Sequence, residues 1–350
     1  MSLYHISWKK IILLNIFLVF SVFLLPGCKK EKTQDPISAT DFKLNTVVTV
    51  KIYDSQDNSL LTECMNLCDK YENIFSRTKT DSELYKLNHR QIPAENTENN
   101  TYKVSGDLAS LISTGLKYSS LSDGAFDISI EPLTSLWDFT AENPQVPDDA
   151  LIRQALPECD FRNISVDGTD VTLKSTGTTI ELGAVAKGYI ADKMKEYLVS
   201  QGVKSAIIDL GGNVLCIGKK PDGTSFKVGI QKPFADRNET IATMDIDGKS
   251  VVSSGIYERC FKQDGVLYHH ILNPRTGYPY DNGLIAVTII SDSSTDGDAL
   301  STACFSMGLE KGMELAQSIE NVQAFFVTDD YKIHYTKDFQ KEIHVTESVS

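Results

Sequence analysis

Residues 269–308 read HHILNPRTGYPYDNGLIAVTIISDSSTDGDALSTACFSMG, and the order of patterns inside this stretch sets the fold. The opening HHILNPRTGYP holds Pro274, which lacks a backbone donor, and Gly277, which tolerates irregular backbone, so a shaped loop is expected. LIAVTIISD, Leu284 to Asp292, is apolar and β-branched on both parities, the pattern of a strand buried on both faces. A helix start follows. Thr295 and Asp298 have capping-box spacing, and Ala299, Leu300, Ala303 and Phe305 supply an apolar surface. Asp298 and Thr302, four apart, then share one side of the first turns. Two readings of that pair stay open on the residues alone. Either Asp298 completes the cap and Thr302 bonds back to a carbonyl, or both oxygens are ligands of a hard cation such as Mg²⁺, which takes few protein oxygens plus phosphate and water.

Moving upstream, IELGAVAKGYIADKMKEYLVSQG (residues 180–202) predicts a strand ending near Leu182 and a tight turn at Gly183. A helix marked by Tyr189, Ile190, Met194, Tyr197 and Leu198 follows and stops at Gly202. Loops entering a helix N-terminus favour anions, because free N–H groups and the helix dipole face them. The spacing is not that of a P-loop, so Lys187 is open to both a surface and a phosphate-binding reading. SAIIDLGGN (205–213) is a buried strand ending in Gly211-Gly212, and Ser253-Ser254-Gly255 reads as a second turn of close backbone approach. GAFDISIEPLTSLWDF (124–139) reads as a strand with Phe126, Ile128 and Ile130 on one face and Asp127 on the other. A lone Asp there is a turn residue unless a ligand lies beside it.

The rest of the chain mixes strands and helices without strict alternation, which places it in the α+β class. Asp41 to Asp54 alternates as one opening strand. Amphipathic helices are expected over Leu61–Phe75 and Asp107–Tyr118, and a short helix near Ser82-Glu83. Residues 92–100 read as irregular, Ile164–Ile180 as two or three strands, Phe226–Gln231 and Thr240–Ile246 as strands, and the region about Asp329-Asp330 as a hairpin.

The first 27 residues carry Lys9 and Lys10 before the apolar run Ile11–Leu25, which suits a signal peptide. Leu25-Pro26-Gly27-Cys28 resembles a bacterial lipobox, implying cleavage before Cys28, lipidation of its sulfur, and a chain exported and held at a membrane surface. Residues 28–40 then serve as a tether, 41–336 as the domain, and 337–350 as a polar, frayed tail. Losing Lys9 and Lys10 with the leader takes the formal net charge from −13 to −15. Such an acidic domain is poorly suited to nucleic acid. Cys64, Cys68, Cys159, Cys216, Cys260 and Cys304 lie scattered in apolar contexts, the pattern of buried free thiols.

Seven blocks occur in an order that carries a resemblance: FSRTKTDSELYKLN, DGAFDISIEPLTSLWDF, ELGAVAKGYIAD, DLGGNV, VSSGIYER, HHILNPRTGYP and TDGDALSTACFSMG. Over about Phe42 to Tyr335 the chain resembles the FAD:protein FMN transferase family, the ApbE-type flavin transferases also described as thiamine-biosynthesis lipoproteins. The resemblance implies a single large domain of two interleaved lobes, related to the T-fold. It implies that Asp298, Thr302 and the carbonyl of Ala184 bind Mg²⁺, that Leu44, Thr78, Ala125, Phe126, Asp127, Glu181, Lys187 and Leu272 contact FAD, and that His270 assists catalysis. His269 has no such counterpart and is taken as structural. Leu44 stands where methionine is usual, Thr78 where an aromatic often covers the substrate, Asn273 where aspartate is common, and Ser301 where some members have a second aspartate.

The activity so implied splits FAD and moves FMN onto a Ser or Thr of an exported subunit of a membrane redox complex, releasing AMP. Phosphoryl transfer of this kind needs positioning and charge neutralisation more than a protein nucleophile. Two alternatives share the same residues: a Mg²⁺-dependent FAD pyrophosphatase, and a lipid-anchored flavin-binding protein without turnover.

Overall fold

The computed structural model describes residues 35–236 and 239–348; the leader, Cys28 and the first part of the tether lie outside them. The first strands are β1 (Ile37–Lys43) and β2 (Thr46–Ile52), which pair antiparallel. The single strand expected over Asp41–Asp54 is therefore a hairpin that begins inside the tether. Leu44 and Asn45 turn it with φ of 55° and 56°, the left-handed pair a two-residue hairpin turn requires. Asn45 suits that backbone; Leu44 does not, and nothing in the apolar alternation announces the turn.

Next come α1 (Asn58–Phe75), α2 (Glu83–Asn88), β3 (Ala94–Asn96), β4 (Thr101–Lys103) and α3 (Gly106–Leu121). The stripe predicted for α1 is buried at Leu61, Cys64, Cys68, Tyr71 and Phe75. β3 is a short strand inside the segment read as irregular. After α3 the segment read as a strand is a string of turns leading into α4 (Glu131–Trp137). Asp127 turns back on its own backbone, accepting from the amide and hydroxyl of Ser129 at 2.7 and 2.6 Å, and Pro132 then suits a helix start. These local bonds override the alternation.

α5 (Asp149–Ala155), β5 (Ile164–Asp167) and β6 (Asp170–Leu173) precede α6 (Ala186–Ser200). The strand expected before α6 is extended chain outside any ladder. The backbone N–H and carbonyl of Ile180 both bond the side-chain amide of Asn88, at 2.9 Å each. Glu181 N donates to Ile128 O at 2.8 Å.

The remaining strands are β7 (Ala206–Leu210), β8 (Asn213–Ile217), β9 (Phe226–Gln231), β10 (Thr240–Ile246), β11 (Ser250–Gly255), β12 (Cys260–Gln263), β13 (Val266–His269) and β14 (Leu284–Ser291). The chain ends through α7 (Ser294–Met307), α8 (Leu309–Ser318), β15 (Gln323–Thr328), β16 (Ile333–Tyr335), α9 (Phe339–Glu342) and β17 (Val345–Glu347). The tail read as frayed is thus partly folded: Phe339 and Ile343 are buried, and β17 pairs with β10. Ser253-Ser254-Gly255, read as a turn, is the end of β11.

An eight-stranded sheet in the order β1-β2-β7-β8-β11-β14-β15-β16 organises the fold, every neighbour antiparallel. All eight residues of β14 are buried, as its unbroken apolar run predicts. One face of the sheet packs on α1, α6, α7 and α8, with α3 laid over α1 and α7, and the other on the β9–β10–β17 sheet. The mixed architecture is α+β, and the described residues from Asp35 onward form one compact unit.

Register gathers the turn between β1 and β2, the Gly211-Gly212 turn between β7 and β8, the end of β11 and the start of β14 at one end of the sheet. α7 runs alongside β11 toward that end. Ser294 meets Ser250 at 2.9 Å and Thr302 meets Ser254 at 3.0 Å. The register holds because eight helical residues and four strand residues both advance about 12–14 Å.

Candidate functional site

Asp298, read as a metal ligand, sits where α6 crosses α7. Close approach there depends on Gly188: a Cβ on it would lie 2.2 Å from the carbonyl oxygen of Ser294. The gap lets the buried Asp298 reach across, its Oδ2 accepting from Gly188 N at 2.9 Å. Gly188 is the third residue of α6, so its N–H is one of those a helix start leaves without an intrahelical acceptor, and Asp298 supplies one. Among the described residues no hydrogen bond reaches Ala184 O. Lys187 Nζ lies 3.9 Å from the other Asp298 oxygen.

Asp298 is not the cap of α7. The cap is Ser293, whose hydroxyl accepts from Asp296 N at 3.1 Å. Asp192 of α6 adds a carboxylate that accepts from the amides of Ser294 and Thr295, both at 2.9 Å. The helix start therefore lies two residues earlier than Thr295–Asp298 spacing suggests, and Asp298 is released from capping. Thr302 does not bond back to a carbonyl either; its hydroxyl meets Ser254 Oγ at 3.0 Å.

These residues suit a hard cation. The donors are one carboxylate, one hydroxyl and one peptide carbonyl, all oxygen, and a single negative charge leaves room for phosphate oxygens and water. Among the described residues no three His, Cys, Asp or Glu side chains converge, and all six cysteines described are free thiols, five of them buried.

The two adjacent histidines have different surroundings. His269 is buried with both nitrogens engaged: Nε2 bonds Tyr280 O at 2.8 Å, and Nδ1 faces Ile271 N at 3.3 Å. His270 places Nδ1 at 3.3 Å from Arg259 O. A carbonyl can only accept, so the proton sits on Nδ1 and the Nε2 lone pair is free. Desolvation, then the positive charges of Arg259 and Lys187, push the ring's pKa down, so it is held neutral.

The residues read as flavin contacts lie along loops joined by hydrogen bonds. Leu272 is buried and bridges to Pro279; the same loop sends Tyr280 Oη to Ala125 O at 2.8 Å. Phe126 and Asp127 follow, both buried. Asp127 spends its oxygens on Ser129 and on Phe161 N at 3.0 Å, so it is a turn-holding residue, and burial raises its pKa against those bonds. Glu181 accepts from Gly183 N at 2.7 Å and pairs with Arg77 Nε. Arg77 also lies 3.5 Å from Glu131 and donates to Ser135 at 3.0 Å. Thr78, beside it, is exposed. Leu44, half-buried at the β1–β2 turn, shares the sheet end with this group but no hydrogen bond with it among the described residues.

Gly188, Asp192 and Arg77 were not singled out by sequence reading, and Ser254 was read only as part of a turn. Helix pattern gives no sign of Gly188 or Asp192, because what each meets comes from a helix about a hundred residues away. Glycine inside a helical run was the available signal, since it costs helix stability unless packing requires it.

A profile of the ApbE family matches residues 44–326. The chain is 38% identical over 292 residues to an FAD:protein FMN transferase of Klebsiella pneumoniae, covering 83% of this chain and 88% of that one. It is 31% identical to the FAD:protein FMN transferase of Treponema pallidum, covering 89% and 90%. Among solved structures, the flavin transferase ApbE from Vibrio cholerae superposes with a TM-score of 0.78 at 25% identity, covering 88% of this chain and 99% of that one. The ApbE protein of Thermotoga maritima gives the same TM-score and coverage at 30% identity. Fold, length and sequence agree, and the chain belongs to the ApbE family.

Proposed function

We propose that this chain is an FAD:protein FMN transferase that depends on Mg²⁺ and modifies a Ser or Thr hydroxyl of an exported redox-complex subunit. The acceptor oxygen forms a bond to the FMN phosphorus, the pyrophosphate P–O bond breaks, and AMP leaves. The observation that carries the reading is the crossing of α6 and α7, where the buried Asp298 carboxylate meets the first turn of α6 beside Lys187, while among the described residues the Ala184 carbonyl just before that helix accepts no hydrogen bond. Asp298, Thr302 and Ala184 O would hold the cation. When bound, Mg²⁺ supplies Lewis-acid polarisation of the diphosphate.

The chain's own groups divide the remaining work. Lys187 places a positive charge beside Asp298, within reach of an anionic substrate. His270 presents its free Nε2 lone pair to the acceptor hydroxyl and takes that proton as the new bond forms. A diphosphate near the ring would raise its proton affinity from the low value of the free chain, because a negative charge favours the imidazolium. Arg77 fixes the Glu181 carboxylate, and with it the loop that carries Ala184. The leader and Cys28 fit a lipid-anchored location on the exported side of a membrane, where such an acceptor is met.

The test incubates the protein with FAD, Mg²⁺ and a candidate acceptor, then weighs the acceptor and assays AMP. An acceptor heavier by one FMN, with the gain lost in EDTA and in Asp298→Ala, is the expected result. AMP and free FMN beside unmodified acceptors of every kind tried would favour a pyrophosphatase instead. FAD bound with neither product would overturn catalysis altogether.

A further inference from the structure

The hydroxyl of Ser254 lies between those of two α7 residues, 2.8 Å from Ser301 Oγ and 3.0 Å from Thr302 Oγ1. Ser301 Oγ in turn donates to the carbonyl of Asp298 at 2.9 Å. That makes three contacts and three hydroxyl protons. The carbonyl has no proton, so Ser301 must donate to it. Ser301 then has none left for Ser254, and the 2.8 Å contact holds only if Ser254 donates to Ser301. Ser254 has then spent its own proton, so the 3.0 Å contact holds only if Thr302 donates to Ser254. One direction satisfies all three contacts, running Thr302 to Ser254 to Ser301 to Asp298 O.

The direction matters for Thr302. A threonine in a helix ordinarily turns its hydroxyl back to a carbonyl one turn earlier. For Thr302 that carbonyl is Asp298 O, already taken by the helix N–H and by Ser301. The proton goes instead toward the strand, and the lone pairs of Oγ1 point away from β11. A neutral hydroxyl binds a cation only through such lone pairs. Ser301 is fully buried, so water does not compete for the end of the chain that sets the direction.

We propose, resting on the metal reading above, that Ser254 is a positioning residue that fixes the Thr302 hydroxyl as a lone-pair donor to a divalent cation, with Ser301 setting the direction. Ser254 does not itself touch the metal or the reacting atoms. Where a second carboxylate is absent, at Ser301, a pre-oriented neutral ligand carries more of the binding.

The test titrates Mn²⁺ alone into the full protein and follows free Mn²⁺ by electron paramagnetic resonance, without turnover. Ser254→Ala should weaken binding by about 10–100-fold, the usual cost of losing a group that orients a metal ligand. Ser254→Thr, which keeps the hydroxyl, should bind close to the unaltered protein. Ser301→Ala should fall between, because Ser254 is then free to turn its proton onto Thr302 and occupy a lone pair. Thermal melts without metal would separate these effects from misfolding. Ser254→Ala binding as tightly as the unaltered protein, while Asp298→Ala loses binding, would overturn the proposal and leave the metal reading intact. Binding unchanged in Asp298→Ala, or absent from the unaltered protein, would overturn both.

Discussion

The two halves of the site are built differently. On one side, Asp298, Thr302, Ser254 and the Ala184 carbonyl sit on or next to α6 and α7, which pack against the central sheet, and β11, which is one of its strands. On the other, Ala125, Phe126, Asp127, Leu272 and Thr78 lie in turns and loops, tied by single bonds such as Tyr280 Oη to Ala125 O. A cation needs oxygens at fixed separation, and helix–strand register supplies that fixity. A large, flat substrate needs a shaped surface with polar edges, and loops supply it. Substitutions on the first side should therefore act on metal and chemistry together, and those on the second on binding and local stability.

His270 carries the largest expected effect. His270→Ala should slow transfer by about 10²–10⁴-fold, the range for a general base, with metal affinity unchanged. Desolvation by the surrounding chain and the charge of Arg259 hold the pKa of this half-buried ring below the imidazole range, so the free enzyme already carries a neutral ring. Lowering the pH through about 6.5 should not protonate it, and kcat/KM should stay level from about pH 8 to about pH 5 as far as this group is concerned. An acid limb centred near about 6.5 that disappears in His270→Ala would show that the ring is not desolvated, while leaving it as the base.

Gly188→Ala sharpens the rigid side. The added methyl would meet the Ser294 carbonyl at 2.2 Å and Thr295 Cα at 2.7 Å, both backbone atoms that move only with their helix. A loss of about 1–3 kcal/mol is expected in chemical unfolding, as for other overpacked contacts. Mn²⁺ affinity should fall with it, because separating the helices breaks the Gly188–Asp298 bond. Stability lost with metal affinity intact would mean that Asp298 keeps its place without α6.

What was legible in the sequence follows the same division. The strand from Leu284 and the stripe of α1 were read from periodicity, because burial against a large core leaves no other pattern possible. Asp298 and Thr302 were placed on one side of a helix from their spacing alone. The start of that helix was misplaced, since a Ser-Thr-Asp-rich run offers several caps and the choice went to Ser293 with help from Asp192 of α6. On the loop side, Phe126, Ile128 and Ile130 alternate as a strand would, yet Asp127 and Ser129 close a turn on themselves. Local side-chain bonds of that kind leave no periodic trace. The loop residues were named from the family resemblance and not from physical patterning.

Asp127 gives the smallest effect and the clearest probe of the loop side. Its Oδ1 holds the Ser129 amide and hydroxyl and its Oδ2 holds Phe161 N at 3.0 Å, all in a buried position. In Asp127→Asn one oxygen can still serve Ser129, but the amide NH₂ then faces the Phe161 N–H, donor against donor. A buried donor left unpaired costs about 1–3 kcal/mol, and the lower part of that range is expected because the turn can relax toward solvent. Unfolding measured beside steady-state kinetics separates two outcomes. Lower stability with an unchanged rate at saturating FAD fits a residue that holds the turn. A large fall in that rate with stability preserved would mean that the carboxylate acts on the reaction itself, and the contrast between a chemical side and a shaping side would fail at this residue.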